Sequence, residues 1–233
     1  SVGMRSAGCI VNDIVDQKYD KKVKRTKNRP IASGKISTKE AIYYAIFLCT
    51  LSFIILLQFN NLTILLGIAS MIPAFTYPFM KRFTYWPQLY LGITFNWGVI
   101  MAGSAMLNDV SLHFIIVYIA AIFWTLGYDT IYGLQDIVDD EIIGVKSTTI
   151  KFKSNLKLFV SMCYIAFLII FTIYGITFEV NKSFYIFLLF PISHLIFQIT
   201  KINIKNNNQN LFIFKSNNFF GFLIFINLLI SNY

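Results

Sequence analysis

The chain has 233 residues, of which 56% are hydrophobic, 17% aromatic and only 13% charged. A soluble domain carries about 25% charged residues, so a water-soluble single domain and a disordered chain are both excluded. The formal net charge of +9 would suggest nucleic acid on a soluble fold; in a chain this apolar it asks where along the sequence the positive charges lie.

In chain order, Ser1 to Val15 reads as the end of an apolar helix whose beginning is missing, which points to an N-terminally truncated version of a longer protein. A spanning helix needs about 20 mostly apolar residues. Seven such runs follow, at about 41–58, 62–80, 86–107, 112–134, 156–178, 183–200 and 217–233. The expected fold is all-α: a polytopic transmembrane helix bundle of seven full spans and a partial one, forming a single domain over residues 1–233. Cys9, Cys49 and Cys163 are far apart in apolar runs and read as small buried hydrophobes, with no metal or disulfide spacing. His113 and His194 are isolated, which argues against a histidine metal site.

The loops locate the charge. Nine Lys and Arg fall between residues 16 and 40, Lys81 and Arg82 follow the second run, and Lys146, Lys151, Lys153 and Lys157 follow the fourth. Lys201, Lys205 and Lys215 come after the sixth. Alternate loops thus hold 18 of the 20 basic residues, all but Arg5 and Lys182. By the positive-inside rule this puts loops 16–40, 81–85, 135–155 and 201–216 in the cytoplasm. The expected partner is the lipid bilayer, as a bacterial inner membrane, and not nucleic acid.

Eight of the eleven acids fall in two short segments. The first runs Asn12-Asp13-Ile14-Val15-Asp16-Gln17-Lys18-Tyr19-Asp20. The second runs from Tyr128 and Asp129 to Asp136, Asp139, Asp140 and Glu141. Asn12, Asp16 and Asp20 are spaced i, i+4, i+8, which places them on one helix face, and Arg5 shares it seven residues before Asn12. Asp136 and Asp140 are also i, i+4, with Asp129 two turns earlier. Like charges at this spacing repel, and an acid at the bilayer centre costs about 2.5–3.5 kcal/mol on insertion scales. Stacked carboxylates therefore call for a cation. Oxygen ligands of this kind suit Mg²⁺, which binds through one or two carboxylates plus substrate phosphates. Two facing clusters suit two Mg²⁺ around one diphosphate, with Arg25, Arg29, Lys81 and Lys146 on the remaining phosphate oxygens. Asp16 and Asp136 are 120 residues apart, as are Asp20 and Asp140, consistent with a pseudo-repeat of helical halves.

N-D-I-V-D-Q-K-Y-D at 12–20, V-K-R-T-K-N-R-P-I-A-S-G at 23–34, Y-P-F-M-K-R at 77–82 and Y-D-T-I-Y-G-L-Q-D-I-V-D-D-E-I-I-G-V-K-S-T at 128–148 resemble the UbiA family of intramembrane prenyltransferases. The resemblance covers almost the whole chain and is closest to the branch that prenylates 4-hydroxybenzoate for ubiquinone biosynthesis. It implies a nine-span bundle around a central cavity, of which the first span and most of the second are absent here. It implies Mg²⁺-dependent transfer from polyprenyl diphosphate to 4-hydroxybenzoate. By position, Asn12, Asp16 and Asp20 form one metal-diphosphate site, and Asp136 and Asp140 the other. Tyr77 and Lys81 lie near the diphosphate. Arg82 holds the acceptor carboxylate and Asp129 is the other acceptor-site and catalytic candidate. Asp13 and Asp139 match family positions without an assigned role. The rival readings are another acceptor, such as haem, a naphthoate or a tetrapyrrole, and a cation-coupled transporter. A transporter keeps its acids near the midplane on broken helices, whereas these cluster beside basic loops.

Overall fold

The computed structural model describes residues 2–230. Ser1, the start of the expected partial span, and residues 231–233, the end of the expected last one, lie outside the described residues. Thirteen α-helices and two short 3-10 turns account for the architecture, and no strand occurs among the described residues. Helix α1 (Val2–Asp20) carries the first acidic segment; α2 (Thr38–Leu56) and α3 (Asn61–Phe83) are each long and apolar enough to cross a bilayer. Helices α4 (Pro87–Phe95) and α5 (Trp97–Leu107) together make the third span, and α6 (Leu112–Tyr132) the fourth. The second acidic segment continues into α7 (Ile137–Ile143) and α8 (Thr148–Lys151). Helix α9 (Leu156–Thr177), the pair α10 (Lys182–Phe187) and α11 (Leu189–Lys201), and the pair α12 (Asn207–Lys215) and α13 (Asn217–Ile230) complete seven spans.

Helix boundaries follow local chemistry. Ser37 opens α2 with a capping box: its Oγ accepts the Glu40 N–H at 3.2 Å, and Glu40 Oε2 accepts the Ser37 N–H at 2.8 Å. The run 86–107 is interrupted at Asn96, whose side chain donates to Gly92 O at 2.8 Å and to Thr125 Oγ1 at 2.8 Å. An asparagine that bonds its own backbone offers the chain an alternative to helix, and here it also ties the break to α6. The break at Leu188 precedes Pro191, which has no N–H for the Phe187 carbonyl.

The last span departs from expectation. It begins at Asn207, ten residues before the apolar run at 217, so the loop expected at 201–216 shrinks to 202–206. The polar start is affordable because Asn210 is fully buried and satisfied: its Nδ2 donates to Asn203 O at 2.7 Å, and its Oδ1 accepts the Asn203 N–H at 3.2 Å. The cysteine reading also needs correction, since Cys163 is buried but Cys9 is exposed and Cys49 half-buried.

Burial runs opposite to a soluble protein. Ser104, Thr125, Thr130, Gln198 and Asn210 have no exposed surface, while Leu65, Ile72 and Met106 are mostly exposed. In lipid every buried polar group needs an internal partner. Tyr164, Gln198, Asn217 and Trp124 supply one another: Tyr164 OH donates to Gln198 Oε1 at 2.5 Å, and Gln198 Nε2 and Trp124 Nε1 donate to Asn217 Oδ1 at 3.1 and 2.9 Å. This network joins α6, α9, α11 and α13. Around it lies an aromatic core containing Phe167, Phe171, Phe184 and Phe220. The chain is an integral membrane protein, with its apolar core in the second half and its acidic segments at helix ends.

Candidate functional site

The i, i+4, i+8 spacing in the first segment survives intact, because α1 runs unbroken to Asp20. Asn12, Asp16 and Asp20 share a face of α1 and line a cavity of about 180 Å³. The second segment reaches the same cavity by another route. Helix α6 ends at Tyr132, Gly133–Gln135 forms a 3-10 turn, and Asp136 precedes α7 with φ −119° and ψ 6°. Asp129 and Asp136 therefore do not share one continuous helix as the spacing suggested, yet Asp129, Asp136 and Asp140 all line the cavity. The matched spacing of 120 residues joins two different local structures, a continuous helix and a helix break.

The cations interleave with the acids. Lys81 Nζ lies 2.5 Å from Asp16 Oδ2. Arg29 Nη1 donates to Asp20 Oδ2 at 3.1 Å and to Asp13 Oδ1 at 2.8 Å. Arg25 grips Asp136 through two nitrogens, with Nε 2.8 Å from Oδ1 and Nη2 on Oδ2, and its Nη1 donates to Tyr132 OH at 3.2 Å. Asp136 holds the Arg25 guanidinium above its ordinary pKa. Burial, with Asp136 and Asp139 adding negative charge, pushes the Asp140 carboxyl up to about 6 despite Lys81 and Arg25. Lys146 lines the cavity as well, its backbone N–H bonded to Lys81 O at 2.8 Å.

Asp13 and Asp139 have a place in this geometry. Arg29 reaches Asp13, and the Lys24 N–H donates to Asp139 Oδ2 at 3.0 Å. Together with Gln17 Nε2, which donates to Ile31 O at 3.1 Å, these bonds tie the loop between α1 and α2 to both acidic segments. The loop carries Arg25 and Arg29, so the two aspartates set where those guanidinium groups sit.

Tyr77 and Lys81 line the cavity from α3. Arg5 and Arg82 do not. The Arg5 guanidinium lies over the Phe95 ring, 5.2 Å from its centroid. Arg82 donates from Nη2 to Val15 O at 2.9 Å and lies 5.1 Å from the Tyr19 ring centroid, while its Nε is buried with no hydrogen-bond partner. Asp129 makes no side-chain hydrogen bond among the described residues.

Tyr19, Gln88 and Ser147 line the cavity without having been singled out in the sequence. Gln88 Oε1 accepts the Thr148 N–H at 2.9 Å, and Thr148 Oγ1 lies 2.7 Å from Thr130 Oγ1. This knot fixes the segment carrying Lys146. A neutral Gln in an apolar run gives little sequence signal.

The donor set admits a hard cation. Asp16 Oδ1 is buried with no hydrogen-bond partner, so it keeps lone pairs for a ligand. Among the described residues no three His, Cys, Asp or Glu converge tightly enough to hold an ion by themselves. Two carboxylates and an amide, completed by substrate oxygens, are what Mg²⁺ commonly uses.

Comparisons with known proteins give the family and the fold. The family model for the UbiA prenyltransferase family matches residues 1–227. A 4-hydroxybenzoate octaprenyltransferase of Vibrio campbellii is 40% identical over 228 residues, covering 98% of this chain and 80% of the relative. A 4-hydroxybenzoate geranyltransferase of Lithospermum erythrorhizon is 38% identical over 233 residues, covering 99% and 76%. The apo structure of a UbiA homolog from Aeropyrum pernix K1 superposes with a TM-score of 0.78 over 97% of this chain and 86% of that one, at 24% identity, and supports the fold. With two acidic segments facing one cavity and a family match over almost its whole length, the chain belongs to the UbiA prenyltransferase family.

Proposed function

We propose that this protein transfers a polyprenyl group from polyprenyl diphosphate to the ring carbon of 4-hydroxybenzoate ortho to its hydroxyl, a step of ubiquinone biosynthesis. The observation that carries the reading is one cavity into which both acidic segments, Arg25, Arg29, Lys81 and Lys146 project. That is a cradle for an anionic headgroup, and relatives with about 40% identity are named for prenyl transfer to 4-hydroxybenzoate. Members of the family are generally metal-dependent. Mg²⁺ would be held by Asn12, Asp16 and Asp20 and by Asp136 and Asp140, and when bound it neutralises charge on the diphosphate.

The chain's own residues do the rest. Arg25, Arg29, Lys81 and Lys146 take the phosphate oxygens and stabilise the charge that grows on the departing diphosphate. Tyr77 sits beside them at the cavity wall. As the allylic C–O bond breaks, the electron pair leaves with the diphosphate and the prenyl carbon becomes cationic. That carbon calls for surroundings that exclude water, and Tyr19, Tyr77, Pro78 and Ile143 are aromatic and apolar groups of the cavity wall. The acceptor ring, activated by its hydroxyl, attacks through the ortho carbon, and Asp129, with no competing hydrogen bond, orients the phenol or accepts the ring proton. Arg82 is assigned the acceptor carboxylate; its buried Nε has no hydrogen-bond partner, which supports an anionic one, while its Nη2 is held by the Val15 carbonyl. Arg5 shares a face of α1 with Asn12 but lies over Phe95 outside the cavity lining, so a substrate role for it calls for a part of the substrate that extends beyond the cavity. The site loops are assigned to the cytoplasmic side of a bacterial inner membrane, on the distribution of the basic residues.

The direct test is a two-substrate assay of the protein in membranes with Mg²⁺, polyprenyl diphosphate and 4-hydroxybenzoate. Prenylated acid should form, and Asp16→Ala or Asp136→Ala should abolish it while expression is unchanged. Absence of product, with a haem, naphthoate or tetrapyrrole acceptor prenylated instead, would reassign the acceptor. Near-normal activity of the Ala variants would remove the metal assignment.

A further inference from the structure

A second concavity, separate from the candidate active site, lies where α9 begins and α11 ends. It has a volume of about 740 Å³ and is bounded by Ser154–Leu158, Thr200–Lys205 and Gln209. Three lysines line it, Lys157, Lys201 and Lys205, and no Asp or Glu does. Other basic residues nearby are already engaged: Lys153 lies 2.8 Å from Glu141, and Lys151 lies over the Trp86 ring. Lys157, Lys201 and Lys205 form no ion pair among the described residues. The N-terminal end of α9, which has no side-chain cap, opens onto the same hollow and favours an anion, while the C-terminal end of α11 opposes it, so the lysines carry the positive field. Two aliphatic side chains of its lining are exposed, Leu158 at 62% and Ile204 at 40%.

The hollow sits at the membrane edge occupied by the active-site loops, because Gln135 Nε2, at the end of α6, donates to Asn207 O at 2.8 Å just beyond it. Its volume falls in the range of small-molecule sites and exceeds what an inorganic phosphate fills. Lysines without ion-pair partners and exposed aliphatic side chains in one lining match an amphiphile with an anionic head. Basic pockets between spans at a membrane face are where acidic lipid headgroups bind.

We propose that this hollow is a binding site for the phosphate headgroup of an anionic phospholipid, held by Lys157, Lys201 and Lys205 with its acyl chains leaving over Leu158 and Ile204. The site is distinct from the diphosphate cradle and uses none of its residues.

The test is native mass spectrometry of the full chain, purified in mild detergent after equilibration with phosphatidylglycerol and phosphatidylcholine in equal amounts. Wild-type protein should retain phosphatidylglycerol preferentially. Each lysine near an anionic surface adds about fivefold in affinity, so the triple variant K157Q/K201Q/K205Q should lose retention about a hundredfold. The K157R/K201R/K205R variant keeps the charge and should keep the lipid. If the triple Gln variant fails to fold, K201Q alone should show a loss of about fivefold. Equal retention of the two lipids by wild type, or undiminished phosphatidylglycerol on the Gln variants, overturns the proposal. Displacement of the lipid by millimolar inorganic phosphate would show that phosphate alone occupies the site and overturn its lipid character. Loss of the lipid in the Arg variant would show that charge is not what holds it.

Discussion

The pair Lys81–Asp16 offers the sharpest test of how the site is held together. Asp16 is 3% exposed, its Oδ2 lies 2.5 Å from Lys81 Nζ, and its Oδ1 has no hydrogen-bond partner. Lys81→Met removes the cation and keeps most of the stem. The carboxylate left behind is then compensated only by Arg82, whose Nη2 lies 4.0 Å from Oδ1. Breaking a buried pair on one side typically costs about 3–5 kcal/mol. The Lys81 side chain is 28% exposed and Arg82 remains, so the cost falls at or just below the bottom of that range, about 2–3 kcal/mol. For a chain of this size that is a fall in Tm of roughly 4–12 °C. Adding Asp16→Asn removes the stranded charge, and the double variant should recover about 2 kcal/mol relative to Lys81→Met alone. The assay is thermal unfolding of the protein in detergent, followed by circular dichroism, with prenyl-transfer activity measured in parallel. The double variant should be stable and inactive, which separates the chemical roles of Lys81 and Asp16 from the structural cost of leaving one without the other. A Lys81→Met protein as stable as wild type, or a double variant no more stable than the single one, would refute the reasoning.

Other expectations follow from neighbouring residues. Arg82→Ala should raise the KM for 4-hydroxybenzoate far more than that for the prenyl donor; an equal rise would mean that Arg82 only braces α1 through the Val15 carbonyl. The Asp140 carboxyl, pushed up to about 6, is charged above that pH and protonated below it. If Asp140 ligates Mg²⁺ as proposed, metal and proton compete for it, so the Mg²⁺ concentration for half-maximal activity should rise as pH falls from 7.5 to 5.5, and a flat response would count against ligation by Asp140. For stability the sign is opposite: a carboxyl raised above its unfolded value near 3.9 favours the fold as pH falls from about 6 toward 4. Asp139→Ala removes the acceptor of the Lys24 N–H and should speed proteolysis within residues 21–37, with the helices unaffected; unchanged cleavage would show that the loop is held elsewhere.

The two acidic segments were legible because charged groups in an apolar chain need a compensating partner, and their types and spacing name a class of partner. Asn12, Asp16 and Asp20 kept their helical face because nothing between them interrupts α1. The break at Gly133–Asp136 was not legible: periodicity counted straight through it, while the 3-10 turn packs Gly133 against Thr149. Asp13 and Asp139 could not be assigned from the sequence since their partners, Arg29 and the Lys24 N–H, lie 16 and 115 residues away. Span edges followed hydropathy except at α12, where Asn210 is buried against Asn203 and an apolar scale counts it as loop.

By itself the amino-acid sequence determined the seven membrane spans, the sorting of 18 of 20 basic residues into alternate loops, and the gathering of eight of eleven acids into two segments. These are sums and periods over neighbouring residues, and bilayer thickness and helix pitch convert them directly into structure. The tertiary structure alone decided which cation meets which carboxylate, that Arg82 lies outside the cavity lining, and that Lys157, Lys201 and Lys205 share a second hollow. Those outcomes depend on helix packing and on loop closure across many residues, where a shift of a few ångströms exchanges one partner for another without changing composition, spacing or hydropathy.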